Sequence, residues 1–343
     1  MKLINYSVLY FFCFFSCVPS TKPVENHAVG KIQEKTATKL IFDTDIAPDY
    51  DDVGAMALLH AFANNGEIEI LATISSNAFY TTAPTISVLN TYFGRPDIPI
   101  GITKSELPNK ECSQKWAEAL IAKYRHNLNS NNEAMDAIKL YRKILSQAAD
   151  SSVTIVTVGF FTNMATLFTS GADEFSSLSG KELIAKKVKV VISMATVLID
   201  EKVGWAEFNV AIDTKASQIF FSQWNTPVII SPFEVGEKIL TGIRLINDTT
   251  IKNSPVKEAY QIALAYDKNT VGRMSWDQTA VLIAARGFKT YFNSRMVNFK
   301  IEKDGTNVLI PGDRFTYLSF KQTPSEIQKV IEELMMYQPK SNN

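Results

Sequence analysis

The stretch "KLIFDTDIAPDYDDVGAMALLHAF", residues 39–62, places five carboxylates (Asp43, Asp45, Asp49, Asp51 and Asp52) between two apolar runs. Like charges this close repel, and a folded chain accepts them only where something compensates. The macrodipole at a helix N-terminus accounts for one or two aspartates, at about 0.3–1 kcal/mol each. Five need more. A hard divalent cation would compensate such a cluster, because calcium takes about six to eight oxygen ligands and favours carboxylates. No His/Cys spacing here suits zinc; His27, His60 and His126 are scattered and read as surface or packing residues.

Around the cluster, short apolar runs rich in β-branched residues (40–42, 68–74, 153–158, 188–192 and 227–230) alternate with helical patterns (53–63, 83–93, 132–149 and 214–222). That alternation implies parallel βαβ units covered on both faces: an α/β fold with an open, mostly parallel β-sheet flanked by helices. In such sheets ligands bind beyond the carboxyl ends of the strands. The aspartates begin where the first strand ends, so they belong to that rim. Further on, 297–301 and 307–310 read as a hairpin turned at Asp304-Gly305. "TPSE" opens a last helix with Thr323 as N-cap, Pro324 at N1 and Glu326 at N3.

The 343 residues carry 35 basic and 35 acidic side chains. A zero net charge argues against nucleic acid or an anionic membrane surface as partner, since either would call for a basic excess. With no repeat and no Pro/Gly/Ser-rich linker after residue 38, residues 39–338 read as one domain. Residues 1–17 read as an export signal: Lys2, a short apolar run around Leu9 to Phe15, then Ser16 and Cys17. "FFSC" resembles the bacterial lipobox, with Phe14 where Leu is usual, and implies a lipid anchor at Cys17 followed by a tether, 18–38. The expected location is the cell envelope, as a lipoprotein, or the periplasm. Cys112 is then the lone thiol of the domain, which must rely on a large core rather than a disulfide.

Asp-x-Asp after a first strand also opens haloacid-dehalogenase-type phosphatases, but "DTDIAPDYDD" lacks the continuation of that motif. The stretch resembles instead the signature of the nucleoside hydrolases, the inosine–uridine-preferring family, in its longer bacterial variant. The resemblance spans most of the domain: "EILATISSNAFYTTAPTISVLNTYFGRPDIPIG", "VTIVTVGFFTNMATL", "AEFNVAIDTKASQIFF" and "RMSWDQTAVL" follow in the family's order. It implies a Rossmann-like fold, calcium as cofactor, a ribonucleoside substrate and a homo-oligomer. Residue by residue, it implies Asp45 as calcium ligand and general base, Asp52 and Asp277 as further ligands, and the Thr162 carbonyl as another. Asp51, Asn77, Glu207 and Asn209 would hold the ribose hydroxyls, with Asp43 supporting the loop; Asp49 falls in the inserted part of the signature and reads as a surface or loop residue.

These residue types suit cleavage of an N-glycosidic bond, whose transition state gathers positive charge on the ribose that carboxylates stabilise. The resemblance breaks at three places. Ile46, Ala47 and Pro48 replace the "PG" of the short signature; Glu201 stands where many members have Asn; and Trp276 stands where a His often protonates the leaving base. Trp276 would stack on the base, an arrangement that favours purines, with Trp205 and Phe79 as further candidates for the base pocket. The altered base half leaves a second reading open, a non-catalytic calcium-dependent riboside- or polyol-binding envelope protein.

Overall fold

The computed structural model describes residues 1, 7–11, 13, 36–105, 108–199 and 203–339; Cys17, His27, Glu201 and most of the expected signal and tether lie outside the described residues. Residues Thr36–Asn343 form one unit. Its strands are β1 (Thr38–Thr44), β2 (Ile68–Ser75), β3 (Ile100–Ile102), β4 (Met135–Asp136), β5 (Val153–Thr157), β6 (Val188–Met194), β7 (Val228–Ser231), β8 (Leu240–Thr241), β9 (Arg273–Met274), β10 (Phe292–Ile301) and β11 (Asn307–Phe320).

Nine of these make one sheet in the order β10-β11-β7-β6-β5-β1-β2-β3-β4, and β8 pairs with β9 in a separate ribbon. Every pairing in the large sheet is parallel except β10 with β11. Strand order reverses beside β1: β2 to β4 lie on one side, β5 to β7 on the other. A crevice opens outside the strand ends at such a reversal.

Side-chain alternation along β1 feeds two cores, one on each sheet face. Leu40 and Phe42 join the core built with helices Asp51–Asn64, Pro255–Tyr266, Trp276–Arg286 and Pro324–Met335. Ile41 joins the opposite core, with helices Ala137–Gln147, Thr162–Thr169, Gly180–Lys187 and Thr214–Gln223. Both faces being covered, each strand can be apolar throughout, which is why these runs stand out in the sequence. Cys112 is buried and unpaired. Among the described residues no helix is long and apolar enough to cross a membrane.

Two expectations need correcting. Over 132–149 a short 3-10 turn, Asn131–Glu133, comes first, and the α-helix begins only at Ala137, where the Asp136 carboxylate accepts from Lys139 N at 2.9 Å. The residues before it are held elsewhere: Asn131 donates to Ala78 O and Phe79 O and accepts from Ala83 N, pinning that segment to the start of helix Thr82–Tyr92. The hairpin at Asp304-Gly305 forms as read, but its strands run much further, and β11 joins the main sheet parallel to β7. The Thr323 capping box is present, Glu326 closing it from N3.

Helices Asp51–Asn64 and Trp276–Arg286 touch at Gly54. A Cβ there would come within 2.4 Å of Gln278 Nε2 and 2.5 Å of the Tyr260 hydroxyl, two groups that hydrogen-bond to each other at 2.9 Å. The missing side chain therefore lets the N-termini of the two helices converge. Gly54→Ala is expected to cost about 1–3 kcal/mol through overpacking, read by urea denaturation; an unchanged midpoint would contradict this contact.

Candidate active site

The crevice holds a cavity of about 240 Å³. Asp45 reaches it from the end of β1, Val158 from the end of β5 and Met194 from β6. Asp51 and Asp52 open helix Asp51–Asn64, and Trp276 with Asp277 opens helix Trp276–Arg286. On the opposite wall stand Glu207, Phe208, Asn209 and Phe233. Two helix N-termini thus present their positive dipole ends to the same carboxylates.

Carboxylate oxygens of Asp51, Asp52 and Asp277 lie within 4.8 Å of one another, all three residues buried. Asp45 lines the same cavity but is not part of that closest set. Burial pushes Asp45, Asp52 and Asp277 well above the usual carboxylate range, and their mutual repulsion pushes further the same way. Burial also raises Asp51, against the pull of Arg273. One oxygen of Asp52 accepts from the Thr44 hydroxyl, while Oδ2 is buried without any hydrogen-bond partner. An all-oxygen donor set with a buried, unpartnered carboxylate oxygen fits a hard divalent cation.

The groups behind the site fix its geometry. Asp43 points to the other sheet face, where the Tyr141 hydroxyl and Asn163 Nδ2 donate to it at 2.8 and 3.0 Å; burial pushes its carboxyl up to about 7. Gly159 lets β5 end against β1, since a Cβ there would sit 2.5 Å from Asp45 N. Asn77 spends its amide on backbone, donating to Asp45 O and Lys110 O at 3.1 and 2.8 Å and accepting from Lys110 N at 2.8 Å. It braces the Asp45 loop, and it is not among the cavity-lining residues. Glu207 caps helix Phe208–Ile212 by accepting from the N–H groups of Asn209, Val210 and Thr196. Burial raises its carboxyl to about 7. Asn209 Nδ2 donates to Val158 O at 2.8 Å.

Thr162 is set back: its hydroxyl donates to Asp213 Oδ2 at 2.7 Å, and its carbonyl accepts from Thr166 Oγ1 at 2.7 Å. Val158, not Thr162, forms that wall of the cavity. Asp49 is a half-buried loop residue, as its position in the sequence suggests, but it also lines the cavity and pairs with Arg273 Nη2 at 2.5 Å. Trp276 donates Nε1 to Phe233 O at 2.9 Å and packs against the Phe233 ring at 5.0 Å. Trp205 packs its ring against Phe233 and is not among the cavity-lining residues, and Phe79 packs against the core.

Arg273 went unassigned in the sequence. Its guanidinium bonds Asp51 Oδ1 through Nε and Nη2 at 3.1 and 2.9 Å and lies over the Tyr50 and Trp276 rings at 5.0 and 4.9 Å. A lone arginine in "RMSWDQ" carries no motif, and its partner Asp51 is 222 residues away; only the surplus of five nearby carboxylates hinted at a cation.

The family "Inosine-uridine preferring nucleoside hydrolase" matches residues 40–327, and the chain belongs to it. The chain is 31% identical over 216 residues to the pyrimidine-specific ribonucleoside hydrolase RihA of Salmonella enteritidis PT4, a match over 59% of this chain and 62% of RihA. It thus spans about three fifths of the length of that curated relative. The inosine-uridine preferring nucleoside hydrolase of Bacillus anthracis superposes with a TM-score of 0.65 at 16% identity, covering 87% of this chain and 99% of the other. An inosine-guanosine nucleoside hydrolase does so at 0.67 and 18%, covering 88% and 99%. At those identities the likeness is one of fold, and it is the nucleoside hydrolase α/β fold.

In protein stripped of divalent ions, the raised carboxylates make the folded chain bind more protons than the unfolded chain above about 3.8. Stability from these groups is therefore highest below that value and falls as pH rises through the folded values. Asp277→Asn removes one like charge, so it is expected to raise the Tm of the stripped protein at pH 8 by about 2 °C while abolishing any further rise on adding calcium. A wild-type Tm insensitive to both pH and divalent ions would contradict this.

Proposed function

We propose that the chain hydrolyses the N-glycosidic bond of ribonucleosides, with a calcium ion held by Asp51, Asp52 and Asp277 beside Asp45. The observation that carries this reading is the convergence of those three buried carboxylates on a sugar-sized cavity whose far wall holds Glu207 and Asn209. Calcium supplies, when bound, a positive charge that orients hydroxyls and lowers the pKa of water. Asp45 takes the proton of the attacking water as C1′ opens toward the oxocarbenium state. Buried carboxylates stabilise that positive carbon more than the neutral substrate, which lowers the barrier. Glu207 and Asn209, rigid through their backbone bonds, hold the ribose. A buried site of this kind discriminates against an analogue lacking a hydroxyl, because its polar partners are left unpaired.

The export signal and the Cys17 motif support action at the cell envelope, where such an enzyme would scavenge nucleosides; a homo-oligomer belongs to the same proposal. The non-catalytic alternative has one observation in its favour: no histidine lines the cavity among the described residues.

With calcium, purified protein is expected to release ribose from inosine, uridine and p-nitrophenyl riboside. Chelation should cost about 10²-fold or more, and 2′-deoxyinosine should be at least about 10²-fold slower than inosine. Tight riboside binding over hours with no ribose released would overturn hydrolysis in favour of the binding protein.

A further inference from the structure

We infer that Arg273 serves the leaving base as a fixed positive charge, so that the base departs as an anion instead of being protonated in place. This rests on the ribohydrolase reading above. The residues lining the cavity offer the leaving base no ready proton. Trp276 Nε1 is committed to Phe233 O. The Glu207 carboxylate is an acceptor for three backbone N–H groups. The aspartates form the cation cluster or pair with Arg273, and the remaining walls are apolar or amide.

Arg273 is the one cation lining the cavity among the described residues. Its Nε and Nη2 are anchored on Asp51 and Asp49, and its plane lies over Trp276, while Nη1 has no protein partner among the described residues. A guanidinium does not deprotonate, so it cannot act as a general acid. Through Nη1 it can stabilise negative charge with a charge-assisted N–H donation. The guanidinium lies 4.9 Å from the centre of the Trp276 ring, and both residues line the cavity, so a base entering beside Trp276 meets the cation.

In the step that follows, the water oxygen bonds to C1′ as the C1′–N bond breaks. The bond pair goes to the ring nitrogen and delocalises into ring carbonyls beside Arg273. The water proton goes to Asp45, and the released base anion takes a proton from solvent. The substrates favoured are ribosides whose base carries ring carbonyls and an acidic ring N–H; amino-substituted bases that need ring protonation are disfavoured.

The test is the dependence of kcat/KM on leaving-group pKa along a series of substituted phenyl ribosides. Arg273→Gln is expected to lose about tenfold on nitrophenyl riboside but about 10³-fold on phenyl riboside and inosine, steepening the dependence. Guanidinium chloride added to Arg273→Ala should restore the poor leaving groups selectively, and this rescue stays readable where one variant is unstable. Equal losses along the series, with calcium affinity weakened by calorimetry, would make Arg273 only a clamp for Asp51 and overturn the inference while leaving hydrolysis standing. A wild-type protein inert toward every riboside would overturn both.

Discussion

Electrostatic repulsion among carboxylates withdrawn from water is the constraint on which this structure turns. Asp45, Asp51, Asp52 and Asp277 are each nearly inaccessible, and none could hold its charge there without help. The fold meets that cost from three directions. Two helix N-termini aim at the cluster, Arg273 neutralises its outer edge, and the inner edge is left as an oxygen cage for a cation.

The cage depends on features far from it. Gly54 and Gln278 set how closely two helices approach, and so how far Asp52 stands from Asp277. The period-two alternation of β1 sends Asp43 to Tyr141 and Asn163 on one face and Thr44 to Asp52 on the other. One strand thereby anchors itself and orients a carboxylate of the cluster. Asn77 and Gly159 fix the loop that follows. The site is rigid because its supports are backbone bonds and core packing, the condition for charges to stay fixed while a reaction passes through them.

Much of this was legible in the chain. Five central strands announce themselves as β-branched apolar runs because both sheet faces are covered, and the aspartates mark the strand end that matters. What stayed hidden shares a physical cause. The three-residue β3 and two-residue β4 are too short to show a period. The pairing of β11 with β7 is set by tertiary contact, not by local pattern. The family resemblance implied a carbonyl ligand at Thr162; here that carbonyl accepts from Thr166 Oγ1, and Val158 lines the cavity, an arrangement set by the bend after β5 that no local pattern shows. The carboxylate that anchors Arg273 lies more than two hundred residues earlier, and no spacing rule reaches that far.

The relation of fold to chemistry comes down to whether the carboxylate cage takes up a cation. Calorimetric titration of the chelated protein with calcium measures this directly. The account predicts one ion bound per chain, with binding lost in Asp52→Asn. Absence of calcium binding by a folded wild-type protein, or a stoichiometry untouched by Asp52→Asn, would contradict it.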